Sequence, residues 1–213
     1  MMEKLLNVFG GRFPLKELDV GAFAALRAKG MNFDVKAYEA EGLGHISVMR
    51  ARGMLGLMRM DTLIVNPKMI DLPLYSYDRI LAMGNDTLIV ELYDTMAEGC
   101  PTDALRAVNE MYKDLPERDP GTHWYDGIKL KESVSKKGRK LTDRFNAYAE
   151  AYTEAYLNLP AKPVSDMAAK RAKTDAYVNG LLQNGGPSTD VFKKALGEER
   201  TKELFRKVLF GTD

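Results

Sequence analysis

The chain has 213 residues, 45% apolar and 29% charged, with a net charge of +1: enough for one large globular domain, and too little basic field to argue for nucleic acid. Its one cysteine, Cys100, excludes an internal disulfide framework, a cysteine-based zinc site and a self-supplied iron–sulfur cluster, and its two histidines, His45 and His123, argue against a multi-histidine metal site. The apolar run in MMEKLLNVFGGRF is too short for a signal peptide and no segment is long enough to span a membrane, so a single domain over residues 1–213, in the cytoplasm and without a membrane partner, is expected.

Residues 1–44 read as an irregular or partly helical lead-in, broken by Gly10, Gly11, Pro14 and Gly21, with short helices over 22–28 and 35–41. From His45 the pattern changes. HISVMRA is a strand ending before Gly53, and residues 55–65 continue as a second strand after a hairpin turn with Gly53 and Gly56. Pro73 opens a third strand through Ala82, where a proline fits the first position. Gly84-Asn85 turns the chain, and residues 86–94 return as the next strand. Short connections make these strands antiparallel.

After Gly99 the chain turns helical. Thr102 is positioned to cap DALRAVNEMYKDL. Residues 116–140 are polar and predict an extended surface segment that contains the basic run Lys129, Lys131, Lys136, Lys137, Arg139 and Lys140. A helix from Thr142 to about Leu159 carries Phe145, Tyr148, Tyr152 and Tyr156 on one stripe, either a core face or a pocket wall. A further helix spans about 165–183, NGGP at 184–187 is a break, Ser188 or Thr189 caps a short helix, and residues 198–210 close the chain. A sheet followed by helices is an α+β arrangement.

Asp78 is the residue most in need of an explanation. Strand alternation puts Leu74, Ser76, Asp78, Ile80 and Ala82 on one face, and Tyr75, Tyr77, Arg79 and Leu81 on the other. An acid among apolar neighbours is disfavoured as a carboxylate, so its pKa rises and it can hold a proton to donate. The alternative is a structural aspartate satisfied by backbone donors or by a cation such as Arg59. Asp61 and Glu91 pose the same choice. Arg50, Arg52 and Arg59 are cations on strands beside methionines, where they either hold the carboxylates of an apolar ligand or face solvent. His45 can donate to a ligand or to a carbonyl. His123, Trp124 and Tyr125 form either a lid or an anchored loop.

Asn66-Pro67, Asp71-Leu72-Pro73 and Asp78, followed by a glycine turn and an apolar strand that ends in an acid, resemble the core motif of the ferredoxin-dependent bilin reductases. Ala195-Leu196-Gly197-Glu198-Glu199 and Val208-Leu209-Phe210 are similar to that family's closing signature. Residues 152–159 and Tyr177 resemble its penultimate helices. The resemblance covers the middle and the last third of the chain.

It implies a three-layer α/β/α sandwich whose central antiparallel sheet faces a bilin pocket closed by C-terminal helices. It also implies an enzyme with no cofactor of its own, reduced ferredoxin as external electron donor, and a linear tetrapyrrole such as biliverdin reduced through radical intermediates. Asp78 matches the family's central acid. Arg50, Arg52 or Arg79 would hold propionates, with Thr62 and His45 also on the substrate, and the basic run at 129–140 would dock ferredoxin. Two departures stand out: Thr62 lies near a position where some members carry a histidine, and Gly186, flanked by Asn184 and Asp190, falls where some carry an aspartate. The related red chlorophyll catabolite reductases keep a second substrate open, and a non-catalytic tetrapyrrole-binding protein is the rival reading.

Overall fold

The structure, a computed structural model, describes residues 1–186 and 188–213, with Met54 described by its backbone alone. Pro187, the last residue of the expected NGGP break, lies outside the described residues. The chain runs α1 (Met2–Gly10), β1 (Leu15–Leu18), β2 (Ala25–Ala28), β3 (Met31–Ala40), β4 (Gly44–Gly53), β5 (Met58–Pro67), β6 (Leu74–Ala82), β7 (Asn85–Tyr93), α2 (Asp103–Met111), β8 (Val134–Gly138), α3 (Thr142–Leu157), α4 (Met167–Asn184), α5 (Thr189–Leu196) and α6 (Glu198–Glu203). A π-helical turn, Leu204–Leu209, follows.

Every strand pairing is antiparallel. The eight-stranded sheet has the order β1-β3-β4-β5-β6-β7-β8, with β2 paired to β3 beside β1. Helices cover both faces, as the α/β/α expectation requires. Under one face, Leu5 and Phe9 of α1 and Phe145, Tyr148, Tyr152 and Tyr156 of α3 pack on Leu63, Tyr75, Tyr77 and Val90. Burial of Phe9 or Phe145 stabilises the fold by about 1.5–3 kcal/mol each. On the other face, Tyr177, Val178 and Leu181 of α4, Phe192 of α5 and the π-turn pack on Phe33, Val35 and Met49.

The tyrosine stripe is therefore core, on the α1 side of the sheet. Its hydroxyls are satisfied internally: Tyr152 donates to Glu132 O at 2.9 Å and Tyr156 to Pro73 O at 2.8 Å.

Two expected elements differ. Residues 35–41 form no helix. Phe33, Val35 and Ala37 are buried and alternate with exposed Asp34 and Lys36, so a period of two wins and the segment is strand β3. Residues 22–28 likewise give a 3₁₀ turn and strand β2. The polar segment 116–140 also holds β8, whose Val134 and Lys136 turn inward as it pairs with β7.

Candidate functional site

Between the sheet and the C-terminal helices lies a cavity of about 210 Å³, open to solvent and smaller than the usual small-molecule pocket of about 300–1,000 Å³. Its floor is made by inward residues of four adjacent strands: Met49; Met60, Thr62 and Ile64; Ser76, Asp78 and Ile80; Ile89, Glu91 and Tyr93. Arg118, Pro120, His123 and Tyr125 make a side wall, and Tyr177, Leu181, Ser188, Thr189, Phe205, Leu209 and Phe210 the roof.

Asp78 sits in the middle of this floor. Register pairs it with Thr62 across β5–β6, and the Thr62 hydroxyl donates to its Oδ1 at 2.5 Å. Among the described residues no cation pairs with it: Arg59 pairs with Leu81, on the opposite face. Desolvation raises the Asp78 pKa from 3.8 to about 6, the Thr62 hydrogen bond pulls it down, and the Glu91 carboxylate pushes it up. Glu91 faces Ser76 in the β6–β7 register, which sets it diagonal to Asp78 on the same face. Its Oε2 accepts from the Tyr93 hydroxyl at 2.6 Å, and Lys129 Nζ stands 3.7 Å from Oε1.

An aromatic cluster closes the side. Tyr93 stacks on Tyr177 at 4.3 Å between ring centroids and meets Tyr125 edge-on at 5.5 Å. His123 stacks on Tyr125 at 4.9 Å, with its Nδ1 3.8 Å from Asp126 Oδ1. Trp124 fastens this segment to α4: its Nε1 donates to Gly185 O at 2.9 Å, and its ring lies where a Cβ on Gly180 would come within 2.2 Å. Only glycine at 180 admits the indole. Arg118, the one cation among the described lining residues, is steadied by a 3.2 Å hydrogen bond from Nη1 to Ser135 Oγ.

The structure corrects four of the expected substrate contacts. Arg50 lies on the opposite face of β4 from Met49 and pairs with Glu3 of α1 at 3.2 Å. Arg52 shares that parity and is exposed. Arg79 points away from Asp78 into a buried pair with Asp86, whose Oδ2 also accepts from Thr142 Oγ1 at 2.9 Å. The Arg79 guanidinium lies 5.0 Å over the Phe145 ring.

His45, 2% exposed, donates from Nε2 to Val208 O at 2.8 Å, so it holds the chain terminus rather than a ligand. Burial pushes its pKa down to about 4. Ser47 Oγ donates to Leu209 O at 2.7 Å and Asn66 Nδ2 to Phe210 O at 2.7 Å. These three side chains take up carbonyls at the end of the π-turn and hold Leu209 and Phe210 over the cavity. Asp71 of the DLP motif is structural in the same sense: it accepts from the amides of Ala97, Glu98 and Gly99 at 2.7, 2.9 and 3.0 Å.

Thr62 and Asp78 are thus brought together on the floor. Glu91, Arg118 and His123 join them in positions that strand alternation or local sequence did not assign. Asn184 and Asp190 stay exposed outside the lining, while Ser188 and Thr189 face the cavity. Among the described residues no group of three or more His, Cys, Asp or Glu side chains is placed to hold a metal, and no helix is long and apolar enough to cross a membrane.

No protein-family model matches the sequence, and no curated protein matches it. Among solved structures, phytochromobilin synthase from tomato in complex with biliverdin is similar over 100% of this chain and 83% of its own, with a TM-score of 0.78 at 16% identity. The likeness to the bilin reductases read from the sequence is borne out at the level of architecture: this chain has the α/β/α fold of tomato phytochromobilin synthase.

Proposed function

We propose that this chain is a bilin reductase, which reduces a linear tetrapyrrole such as biliverdin with electrons delivered singly by reduced ferredoxin. The observation that carries the reading is a carboxyl group that no cation pairs among the described residues, facing a cavity in a chain whose fold is shared by a protein solved in complex with biliverdin. Asp78 lies amid the floor residues, so a ligand laid on the sheet would pass over it. With its pKa raised to about 6, it is both a usable acid and a recoverable one near neutrality.

Each half of a two-electron reduction takes one electron from ferredoxin and one proton. In the first, the Asp78 O–H bond breaks as an N–H bond forms on a pyrrole nitrogen, and the added electron leaves a substrate radical. Glu91, tied to Tyr93 and Lys129, and His123, backed by Asp126, are the carboxyl and imidazole groups that remain on the lining for the second proton. Arg118 serves a propionate, since a carboxylate in a largely apolar cavity needs a charged donor.

The rival is a carrier that holds the pigment without reducing it. Anaerobic mixing with biliverdin, ferredoxin, a ferredoxin reductase and NADPH separates the two. New product bands and a transient radical signal support reduction. A shifted but static biliverdin spectrum gives the carrier, and an unshifted spectrum removes tetrapyrroles altogether.

A further inference from the structure

Among the described residues, every non-glycine residue with a left-handed backbone lies at one end of the sheet: Lys29 (φ 47°), Leu55 (φ 53°), Met83 (φ 51°) and Lys140 (φ 58°). The register makes this concrete. Met31 pairs with Gly53, Gly53 with Met58, Met58 with Ala82, Ala82 with Asn85, and Asp86 with Gly138, so the turns between these strands share one edge of the molecule.

Lys29-Gly30 and Met83-Gly84 are two-residue hairpin loops with positive φ at both positions, and Leu55-Gly56 repeats the same pair in a longer loop. Such loops favour asparagine or aspartate before the glycine. Lysine, leucine and methionine are poor choices there, and strain of this kind gathers where function requires the side chain.

The strained turns present a consistent chemistry. Leu55 is 106% exposed, Leu57 63% and Met83 69%. Around them Lys29, Arg52, Arg59, Arg139 and Lys140 are exposed, and among the described residues none of the five is in an ion pair. Of the acids nearest in sequence, Asp86 is buried against Arg79 and Asp61, two residues from Arg59, is half-buried, while Asp34 and Asp143 are exposed, so the five cations outnumber the acids beside them. For a chain of net charge +1, this is a local concentration of positive charge around an apolar centre. The cavity is close by: the floor residues Met60 and Ile80 face each other two residue pairs inside Met58–Ala82, about 7 Å from the tips.

We propose that this hairpin end of the sheet is the docking surface for the electron donor, an acidic one-electron carrier protein with an apolar patch near its redox centre. The proposal rests on the reductase reading and names where its partner sits. Positive charge ringing the site speeds and orients encounter with an acidic carrier, and Leu55, Leu57 and Met83 supply the contact that holds it. The tips of a twisted sheet follow a curve rather than a plane, which suits a protein face better than a bilayer. Of the basic run at 129–140, Arg139 and Lys140 sit at this edge, whereas Lys129 is tied to Asp126 and Glu91, and Lys136 is buried against Glu117.

The test uses the turn chemistry itself. Lys29→Asn, Leu55→Asn and Met83→Asn, combined in one protein, give each loop the Asn-Gly pair that it favours, so folding is not at risk and the unfolding temperature rises. Turnover of biliverdin is measured with reduced ferredoxin and, in parallel, with a photoreduced viologen that needs no docking site. The account expects at least a tenfold rise in KM for ferredoxin, unchanged viologen-driven turnover and a higher Tm. An unchanged KM for ferredoxin overturns the docking surface and leaves the reductase reading intact. Equal losses with both donors also overturn it, because the turns would then act on the chemistry. Wild-type protein that reduces biliverdin with neither donor sinks the reductase reading and this surface with it. Binding to phosphatidylserine vesicles that the triple variant loses, with ferredoxin KM unchanged, assigns the edge to a membrane and refutes the proposal.

Discussion

Asp78→Asn separates the protonation of this group from its shape. The amide keeps the size of the carboxyl group and still accepts the Thr62 hydroxyl, so the hydrogen bond at 2.5 Å survives. An acid whose folded pKa lies above its unfolded value binds more protons when folded. Stability therefore falls as pH rises from 3.8 to about 6, and the penalty is complete above that window. At about 1.4 kcal/mol per pH unit, the rise from 3.8 to about 6 is worth about 3 kcal/mol. The cavity admits water beside the carboxylate, which screens it and brings the figure to about 2 kcal/mol. For a chain of this size that moves Tm by about 4–8 °C.

The assay is chemical unfolding of wild type and variant side by side from pH 4 to pH 8, read as the difference at each pH so that other titrating groups cancel. The variant should match wild type near pH 4 and be more stable by about 2 kcal/mol at pH 7, while its biliverdin reduction stalls. A variant that is no more stable at pH 7 than at pH 4, relative to wild type, refutes a desolvated Asp78. A variant with full turnover refutes its role as acid.

His45 titrates in the opposite sense. Its folded pKa of about 4 lies below the ordinary 6.5, so its contribution is present above pH 6.5 and is lost as pH falls toward 4. His45→Gln, which can still donate to Val208 O, should flatten an acid limb of about 3 kcal/mol in that window; an unaltered limb would place the acid sensitivity elsewhere. Asp86→Asn should cost about 3–5 kcal/mol by leaving the Arg79 guanidinium buried without its carboxylate, whereas Arg79→Met with Asp86→Leu should recover most of that and bind biliverdin like wild type. Weak pigment binding in a well-folded double variant would return Arg79 to the substrate. Arg118→Gln should raise the Kd for biliverdin about tenfold, near 1.4 kcal/mol, and leave the Kd for its dimethyl ester unchanged. Equal losses for acid and ester would mean that Arg118 shapes the wall and does not hold a carboxylate.

The alternation of β6 already separated Asp78 from Arg79, and the DLP and closing VLF segments already suggested the architecture. What alternation could not supply was register. Alternation groups Glu91 with Ile89 and Tyr93, but that this face is the Asp78 face, and that the two acids lie diagonally close, depends on the two-residue loop at Met83-Gly84. Arg50 and Arg52 carry charge on a strand, yet their face is fixed only by pairing Met49 with Thr62. Residues 35–41 misled because Val35 with Tyr38 and Ala37 with Ala40 are three apart, as in a helical turn, while the burial of Val35 and Ala37 has a period of two, and the long pairing to β4 decided between them. Arg118 and His123 come from a segment without periodicity. Their positions are set by the hydrogen bonds to Ser135 and by Trp124 against Gly180, which are contacts across the fold.

The account's central claim is that the Asp78 carboxyl group on the cavity floor, with its pKa raised to about 6, takes up a proton and passes it to an open-chain pigment as electrons arrive. Freeze-quenched electron paramagnetic resonance of an anaerobic mixture of protein, biliverdin and reduced ferredoxin tests it most directly, in wild type and in Asp78→Asn. Wild type should show an organic radical that decays into reduced bilin, and the variant should bind the pigment without forming that product. Unreduced biliverdin and no radical in wild type, or identical decay to product in both proteins, would contradict it.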